Sequence, residues 1–218
     1  MEFKDFLEKQ NSIYSRMESS SLEETGVVPN IPKYQGSYLI VFRHPDKIVE
    51  SATNVSYKVS EIIPSIIYDK SNLHTTILVE GTSDDFSLDK GVLEELSKSV
   101  DSSVKGLRRP TINYDSWLYN KNSLIAKGNP DENFFNTMQE IGKNSKQRGL
   151  ETTLAWGAHM TVNRFTEERN PNNISDIIKV INEMPALGES KPFIVDVGHF
   201  IFTPKGFDYY SYEQFKIK

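Results

Sequence analysis

The sequence predicts an α+β protein whose sheets are mainly antiparallel. Segments with the apolar or alternating pattern of strands are mixed with segments whose apolar residues recur at helical spacing. The chain has 218 residues, of which 37% are hydrophobic and 11% aromatic, so it can bury a substantial core. We therefore expect one globular domain over residues 37–218, preceded by a leader over residues 1–36.

The leader is expected to consist of a helix and a connector. Apolar residues at helical spacing predict an amphipathic helix over about the first 18 residues. These residues are Phe3, Phe6, Leu7, Ile13, Tyr14 and Met17. The stretch from Ser19 to Gly36 is rich in Ser, Glu and Pro and has no apolar periodicity, which is typical of a connector.

The first half of the domain is expected to contain two strands, two helices and a hairpin. Strands are expected at 37–42 and 73–79, helices at 46–63 and 88–100, and a hairpin at 111–127 that turns at Asn120-Lys121-Asn122. The second of these helices has a clear apolar stripe that includes Val92, Leu96 and Val100. The apolar pattern of the first helix is looser.

The second half of the domain repeats this outline. After a helix that begins at the N-cap residue Asp131 and runs toward Gly149, a strand is expected at 158–165, a helix at 174–184, and a hairpin that pairs 193–202 with 207–217. Pro204-Lys205-Gly206 suits the turn of that hairpin. The chain thus contains two similar strand-helix-strand units.

Charge and composition restrict the function. There are 25 Lys and Arg residues against 30 Asp and Glu residues, a net charge of -5, so we expect no binding of long duplex nucleic acid, and any anionic substrate should be small. The chain has no cysteine, which excludes disulfides, thiolate metal ligands and a cysteine nucleophile. No stretch has the apolar length of a membrane span, so a soluble, cytoplasmic protein without a membrane partner is expected.

Two of the four histidines, His74 and His159, are each followed at the second position by a threonine, Thr76 and Thr161. Residues i and i+2 of a strand project to the same face, so each pair places an imidazole beside a hydroxyl. Because both pairs lie in predicted strands of the two similar units, we expect them to face one cleft. Histidines that are simply part of a half-buried sheet are the alternative interpretation.

This set of side chains suits an in-line displacement at phosphorus. One imidazole would take a proton from the attacking oxygen, the other would give one to the leaving oxygen, and the hydroxyls would donate to the non-bridging oxygens. The scheme requires no cofactor and no metal ion. A zinc site is a weaker alternative, because neither motif supplies the third and fourth ligands that zinc sites usually have.

The segments around both motifs resemble the 2H phosphoesterase superfamily, which includes RNA 2′,3′-cyclic phosphodiesterases and 2′-5′ RNA ligases. Ala158-His159-Met160-Thr161-Val162-Asn163-Arg164-Phe165 is similar to the second motif of that family, Leu73-His74-Thr75-Thr76-Ile77-Leu78 is similar to the first, and Tyr209, Tyr212, Phe215 and Ile217 follow the spacing of its closing strand. The resemblance covers roughly residues 37–218 and leaves the leader outside it. It implies a bilobal fold with interleaved lobes: two pseudo-symmetric antiparallel sheets with flanking helices around a central cleft that holds both motifs.

Other residues are candidates for substrate binding. Arg164 lies five residues after His159, an offset that puts it on the opposite face of a regular strand unless a bulge turns it back, and the family resemblance makes it a phosphate-binding or a structural arginine. Asn163 is expected on the His159 face. Tyr209 is a candidate for stacking on a nucleobase, although aromatic residues in strands more often pack in the core.

Further charged and imidazole groups carry weaker signals. The cluster of Lys105, Arg108 and Arg109 could steer an anionic ligand toward the protein. His44 and His199 have no threonine at the second following position, and a structural role is expected for both.

The sequence therefore favours a metal-independent phosphodiesterase that acts on a small nucleotide or an RNA end, either a 2′,3′-cyclic phosphate or a 2′-5′ linkage. His74, Thr76, His159 and Thr161 would carry the reaction, with Arg164 and Tyr209 binding substrate. A nucleotide- or RNA-end-binding module without catalysis is the main alternative. A metal-dependent hydrolase and an interaction protein that uses the leader are two others.

Overall fold

The computed structural model describes residues 1–19 and 22–218. Within them the α-helices are α1 (Phe3–Ser19), α2 (Leu22–Thr25), α3 (Asp46–Ser60), α4 (Lys90–Val104), α5 (Glu132–Gln147) and α6 (Ser175–Glu183). The strands are β1 (Gln35–Arg43), β2 (Ser65–Ile67), β3 (Thr75–Ser83), β4 (Ile112–Tyr119), β5 (Ser123–Pro130), β6 (Thr153–Leu154), β7 (His159–Phe165), β8 (Gly188–Ser190), β9 (Ile194–Thr203) and β10 (Gly206–Lys216). No helix in this part of the chain is long and apolar enough to cross a membrane.

All of these strands belong to one antiparallel sheet. Its main path runs β10-β9-β1-β3-β7-β5-β4-β8, while β2 pairs with β7 and β6 with β3. Four strands lie on each side of the β3–β7 junction, so the sheet consists of two four-stranded halves related by a pseudo-twofold axis between these two strands. The lobes interleave along the chain, because the C-terminal hairpin of β9 and β10 joins β1 rather than the strands that precede it.

The longer elements agree with the sequence prediction, with their ends displaced by a few residues. Asp131 is the predicted N-cap of α5, and its carboxylate accepts a hydrogen bond from the backbone N–H of Phe134 at 3.1 Å. The short pieces α2, β2, β6 and β8 were not predicted, because two to four residues are too few to establish a period.

Helices cover the sheet on both lobes. Helix α4 packs on β9 and β10, and α5 packs on β3 and β6 and against α4. Helix α3 lies against β2 and β7, with α6 beside it. These contacts bury the apolar stripes that predicted the helices.

The predicted leader helix is present as α1, and it packs on the domain. Its first turns contact α5, where the rings of Phe3 and Phe135 have centroids 5.8 Å apart and those of Phe6 and Phe134 6.1 Å apart. Further along the helix, Tyr14 is buried against the second lobe. Ser20 and Ser21 of the predicted connector lie outside the described residues, and the connector beyond them contains α2 and an isolated β-bridge.

Candidate active site

The register of β3 against β7 brings the two histidine motifs together. Thr75 and Met160 form a single antiparallel bridge between β3 and β7, and both of these side chains are buried. In an antiparallel pair, the residue that follows Thr75 lies opposite the residue that precedes Met160, and the residue that precedes Thr75 lies opposite the one that follows Met160. Antiparallel geometry at this bridge thus puts position 74 opposite 161 and position 76 opposite 159, on the other face of the sheet from Thr75 and Met160. His74 lies just before the first residue of β3, and its repulsion of the charged form of His159 shows that the two rings are close.

All four motif side chains are half-buried on this face of the sheet, which we call the cleft. Opposite residues of an antiparallel pair have Cβ atoms about 5 Å apart, and diagonal neighbours about 7–8 Å apart. The two imidazoles occupy one diagonal and the two hydroxyls the other. A phosphoryl group between them would contact acid-base groups on opposite sides and hydroxyl donors on the other two.

His74 has a fixed orientation. Its Nδ1 donates a hydrogen bond to the carbonyl oxygen of Asn72 at 2.6 Å, so Nε2 is the nitrogen that can accept a proton. Its ring stacks on Phe207 and Tyr209, with centroid distances of 5.8 and 5.9 Å. Tyr209, a predicted substrate-binding residue, thus contacts a motif histidine directly.

His159 is held differently. Its ring lies flat against the indole of Trp156, with centroids 4.2 Å apart and planes inclined by 17°. Its Nδ1 is buried and has no hydrogen-bond partner among the described residues. The carbonyl oxygen of Gly157 makes a weaker contact with the ring, which favours the protonated form of His159.

Burial lowers the pKa of both imidazoles. The pKa of His74 falls to about 4, chiefly because burial disfavours its charged form. The hydrogen bond to Asn72 raises this pKa, while the positive charges of Arg43 and Arg164 lower it further. The pKa of His159 also falls to about 4, through burial first and then repulsion from His74. Both rings are therefore neutral in the free protein at pH 7.

Arg164 reaches the cleft because β7 contains a bulge. Leu124 pairs with Asn163 and Ile125 with Thr161, so Val162 is an extra residue on β7. The bulge turns Arg164 to the side of the imidazoles, where its Nε donates to the hydroxyl of Tyr68 at 3.1 Å. The guanidinium also lies over the ring of Phe202 at 5.1 Å.

The same bulge makes the prediction for Asn163 wrong. Its side chain is fully buried, and its amide donates to the carbonyl oxygen of Ser56 in α3 at 3.0 Å. It therefore faces away from His159. Neither terminal nitrogen of Arg164 makes a hydrogen bond within residues 1–19 and 22–218, which leaves both for a ligand.

Arg43, at the end of β1, is a cleft residue that the sequence did not reveal. Its Nε lies 3.8 Å from a carboxylate oxygen of the buried Asp196, and one terminal nitrogen donates to the carbonyl oxygens of Lys70 and Ser71. The guanidinium lies over the ring of Tyr209 at 5.5 Å. Arg43 has no motif around it, and only the alternation of β1 could have placed it on this face.

A buried polar network supports Thr75 from behind the cleft. Nε2 of His44 lies 3.0 Å from the Thr75 hydroxyl, and its Nδ1 lies 2.8 Å from the hydroxyl of Ser190 in β8. The hydroxyl of Tyr114 bonds Thr75 from the second lobe. Burial lowers the pKa of His44 to about 3, so its ring is neutral and structural, as the sequence predicted.

The remaining candidates lie away from the imidazoles. His199 stacks between Phe86 and Tyr210, and it projects from β9 on the opposite side from Gly198, which faces Tyr209. In the basic cluster, Arg109 donates to the carbonyl oxygen of Ile217, and Lys105 pairs with Asp101. Within the described ranges, no three His, Asp or Glu side chains are grouped as metal ligands.

Comparison with solved structures identifies the fold. LigT of E. coli, complexed with 3′-AMP, has a TM-score of 0.58 and 12% identity, over 84% of this chain and 99% of LigT. TT0787 of Thermus thermophilus has a TM-score of 0.56 and 15% identity, over 83% of this chain and 97% of TT0787. The chain has the LigT-like 2H fold. No family model matches the sequence, and no curated protein does.

The LigT-like fold confirms the architecture implied by the sequence resemblance. A third solved structure, described as a phosphoesterase, matches with a TM-score of 0.54 and 12% identity over 87% of this chain and 99% of its own. At identities of 12–15%, the likeness shows the fold alone. About a sixth of this chain lies outside the match with LigT, a share similar in size to the leader.

Proposed function

We propose that this protein is a metal-independent phosphodiesterase in which His74 and His159 act as a general acid-base pair. The observation that carries the proposal is the arrangement of the four motif side chains, with each imidazole opposite the hydroxyl of the other motif across the β3–β7 junction. Two imidazoles on one diagonal can serve the attacking and the leaving oxygen of an in-line displacement.

In the proposed reaction, water attacks phosphorus while one imidazole accepts its proton at Nε2. The bond from phosphorus to the leaving oxygen breaks, and the other imidazole, protonated beforehand, donates its proton to that oxygen. A 2′,3′-cyclic phosphate would thereby open to a phosphomonoester. Thr76 and Thr161 would donate hydrogen bonds to the non-bridging oxygens as negative charge develops there.

Arg164 is the proposed phosphate ligand. Its terminal nitrogens are free within the described residues, and guanidinium groups bind phosphate oxygens in pairs of hydrogen bonds. Arg43 adds positive charge beside His74, although its own hydrogen bonds go to backbone carbonyls. The cleft is thus locally positive in a chain whose net charge is -5, which favours a small anionic substrate.

The proposed substrate is a small nucleotide or an RNA end that carries a 2′,3′-cyclic phosphate or a 2′-5′ phosphodiester. Solved LigT structures hold 3′-AMP, ATP or NADP+, which supports a nucleotide ligand here. Tyr209 would contribute to its binding, since the ring borders the cleft beside His74. We expect no cofactor to be needed.

A nucleotide- or RNA-end-binding module without catalysis is the second candidate. The pKa values of about 4 for both imidazoles favour it, because the free protein then holds little of the protonated acid at pH 7. Binding of a phosphate anion would raise both pKa values and restore the acid for catalysis. A measurement of turnover, and not of binding, distinguishes the phosphodiesterase from the binding module.

The test is incubation with 2′,3′-cyclic nucleotides, 2′-5′ oligoadenylate and cyclic dinucleotides in the presence of excess chelator. The proposal expects a phosphomonoester product from at least one member of this panel, at the same rate with and without chelator. Binding without product would establish the binding module instead. A rate that disappears with chelator and returns with added zinc would establish a metal-dependent hydrolase.

A further inference from the structure

The leader helix α1 contacts the candidate active site through a row of three rings. Trp156 stacks flat on His159, and Tyr14 of α1 meets Trp156 edge-on, with centroids 5.5 Å apart and an interplanar angle of 79°. Tyr14 also forms a small buried cluster with Leu118 and Ile125 on the second lobe. The ring on which His159 rests is therefore itself held by the leader.

Two buried polar side chains of α1 also fix the backbone next to His159. The amide of Gln10 accepts a hydrogen bond from the N–H of Ala158 at 2.7 Å and donates to the carbonyl oxygen of Gly128 at 3.2 Å. The hydroxyl of Tyr14 lies 3.3 Å from the N–H and from the carbonyl oxygen of Gly128, and 3.4 Å from the carbonyl oxygen of Ala158. Both side chains are at most 1% exposed.

The backbone on the domain side is shaped for this contact. A Cβ at Gly157 would lie 2.8 Å from Cγ of Gln10, and a Cβ at Gly128 would clash with the carbonyl oxygen of Ala158. Only glycine allows the helix and the two strands to approach so closely at these positions. The backbone just before β7 is thus packed against α1 without space for a side chain at Gly157.

The two histidines differ in what orients them. Nδ1 of His74 donates a hydrogen bond to the carbonyl oxygen of Asn72, whereas among the described residues Nδ1 of His159 has only a weaker contact, with the carbonyl oxygen of Gly157. The orientation of the His159 ring then depends on its stacking partner and on its backbone. Both of these are held by the leader helix.

We propose that Tyr14 and Gln10 are positioning residues for His159, so that the leader is a built-in part of the active site. The importance of this positioning for turnover rests on the proposed function. The positioning itself can be measured without any substrate, and the two ideas can therefore fail separately. A helix that only stabilises the fold would not specifically change the environment of one imidazole.

The test uses NMR of the histidine rings in the full-length chain, with signals assigned by replacing each histidine in turn. In the native protein, the stacked indole should shift the His159 ring protons upfield. Tyr14→Leu keeps an apolar side chain in the buried position but removes the ring that holds Trp156. We expect the upfield shift of His159 to be largely lost, and its pKa to rise from about 4 toward that of a free imidazole as water reaches the ring.

Matched variants separate positioning from stability. Tyr14→Phe keeps the ring contact with Trp156 and should restore most of the upfield shift. Phe3→Leu weakens the packing of α1 on Phe135, far from His159, and should leave the His159 signal unchanged. If a substrate is found, Tyr14→Leu should lower kcat by about 10- to 100-fold with little change in KM.

A second substitution covers the case in which Tyr14→Leu does not fold. Gln10→Met has a similar size but loses both backbone hydrogen bonds, and it should move the His159 signal in the same direction by a smaller amount. An unchanged His159 shift and pKa in the folded variants of both positions would overturn the proposal. Equal changes in His74 and His159 would also contradict it, because they would indicate general loosening.

Discussion

Thr75 and Met160 form the pair through which β3 of one lobe joins β7 of the other. Their side chains point into the core, so their neighbours at 74, 76, 159 and 161 point into the cleft. One backbone pair thus fixes the relative positions of four side chains that are far apart in the sequence. Errors in this register would displace both imidazoles at once.

The first prediction concerns the network behind this pair. Thr75→Val keeps the shape of the side chain but removes the hydroxyl that bonds both Nε2 of His44 and the hydroxyl of Tyr114, which then have only their own longer contact of 3.4 Å. An unsatisfied buried polar group costs about 1–3 kcal/mol, so we expect a loss of that size in the free energy of unfolding. Chemical denaturation measures it.

The matched control for Thr75→Val is Thr82→Val, on the exposed end of the same strand. We expect it to change the free energy of unfolding by less than about 0.5 kcal/mol. Equal effects of the two substitutions would show that the network contributes nothing specific.

The second prediction is a loss of stability in acid. The pKa of His44 is about 3 in the folded protein and about 6.5 in the unfolded chain. A group with a lowered folded pKa stabilises the protein above its unfolded pKa, and this stabilisation is lost as the pH falls from about 6.5 toward 3. Between pH 7.5 and 5.5, His44 alone should account for a loss of about 1.3 kcal/mol.

This loss is measured by denaturation at both pH values with the native protein and with His44→Asn. The variant will be less stable at pH 7.5. The change in its free energy of unfolding between pH 7.5 and 5.5 should be smaller than that of the native protein by about 1.3 kcal/mol. An identical difference in both proteins would mean that His44 is not held neutral by the fold.

The third prediction is the pH dependence of kcat/KM, which reports the free protein. The reactive form needs one neutral and one protonated imidazole, and with both pKa values at about 4 its population is largest near pH 4. We therefore expect kcat/KM to fall as the pH rises from 5 to 8. The optimum of kcat should lie at a higher pH than that of kcat/KM, because a bound phosphate group stabilises the protonated imidazole.

Rates for this profile must come from pH values at which circular dichroism shows the protein to be folded. A kcat/KM that rises steadily from pH 5 to pH 8 would contradict the proposed pair of lowered pKa values. His199→Gln should have the native profile, since that ring lies on the opposite face of the sheet.

The fourth prediction assigns phosphate binding to Arg164. Arg164→Lys keeps the charge but loses the planar pair of donors, and it should raise KM by about 10-fold or more while changing kcat less. Arg109→Lys is the control, because Arg109 bonds the backbone near the C-terminus. A KM that is unchanged in Arg164→Lys would leave Arg164 as a structural partner of Tyr68.

Strand periodicity was sufficient to predict that each motif places an imidazole and a hydroxyl on the same face. His74 with Thr76 and His159 with Thr161 obey the i, i+2 rule, and apolar neighbours mark both segments as strands. The periodicity could not show the bulge at Val162, because the sequence around it looks like a regular strand. Asn163 was therefore assigned to the wrong face, while Arg164 reached the cleft for a reason that only the pairing with β5 reveals.

The placement of Arg43 beside His74 and the contact of the leader with Trp156 could not be predicted from the sequence. Arg43 is brought to His74 by the pairing of β1 with β3 and β9, which depends on contacts between distant parts of the chain. The contact of Tyr14 with Trp156 spans 142 residues, and the apolar stripe of α1 predicts only that the helix packs on something. Local patterns identify elements, but their partners depend on the whole fold.

The most direct measurement is a double-mutant cycle on single-turnover hydrolysis of the best cyclic or 2′-5′ substrate, with chelator present. The variants are His74→Asn, His159→Asn and the combination, with His199→Asn as a control that should have the native rate. If the two imidazoles act as one acid-base pair, each single substitution should slow the reaction by about 100- to 10,000-fold in a folded protein, and the double variant should be little slower than the slower single one. A native rate in either single variant would contradict the proposed mechanism.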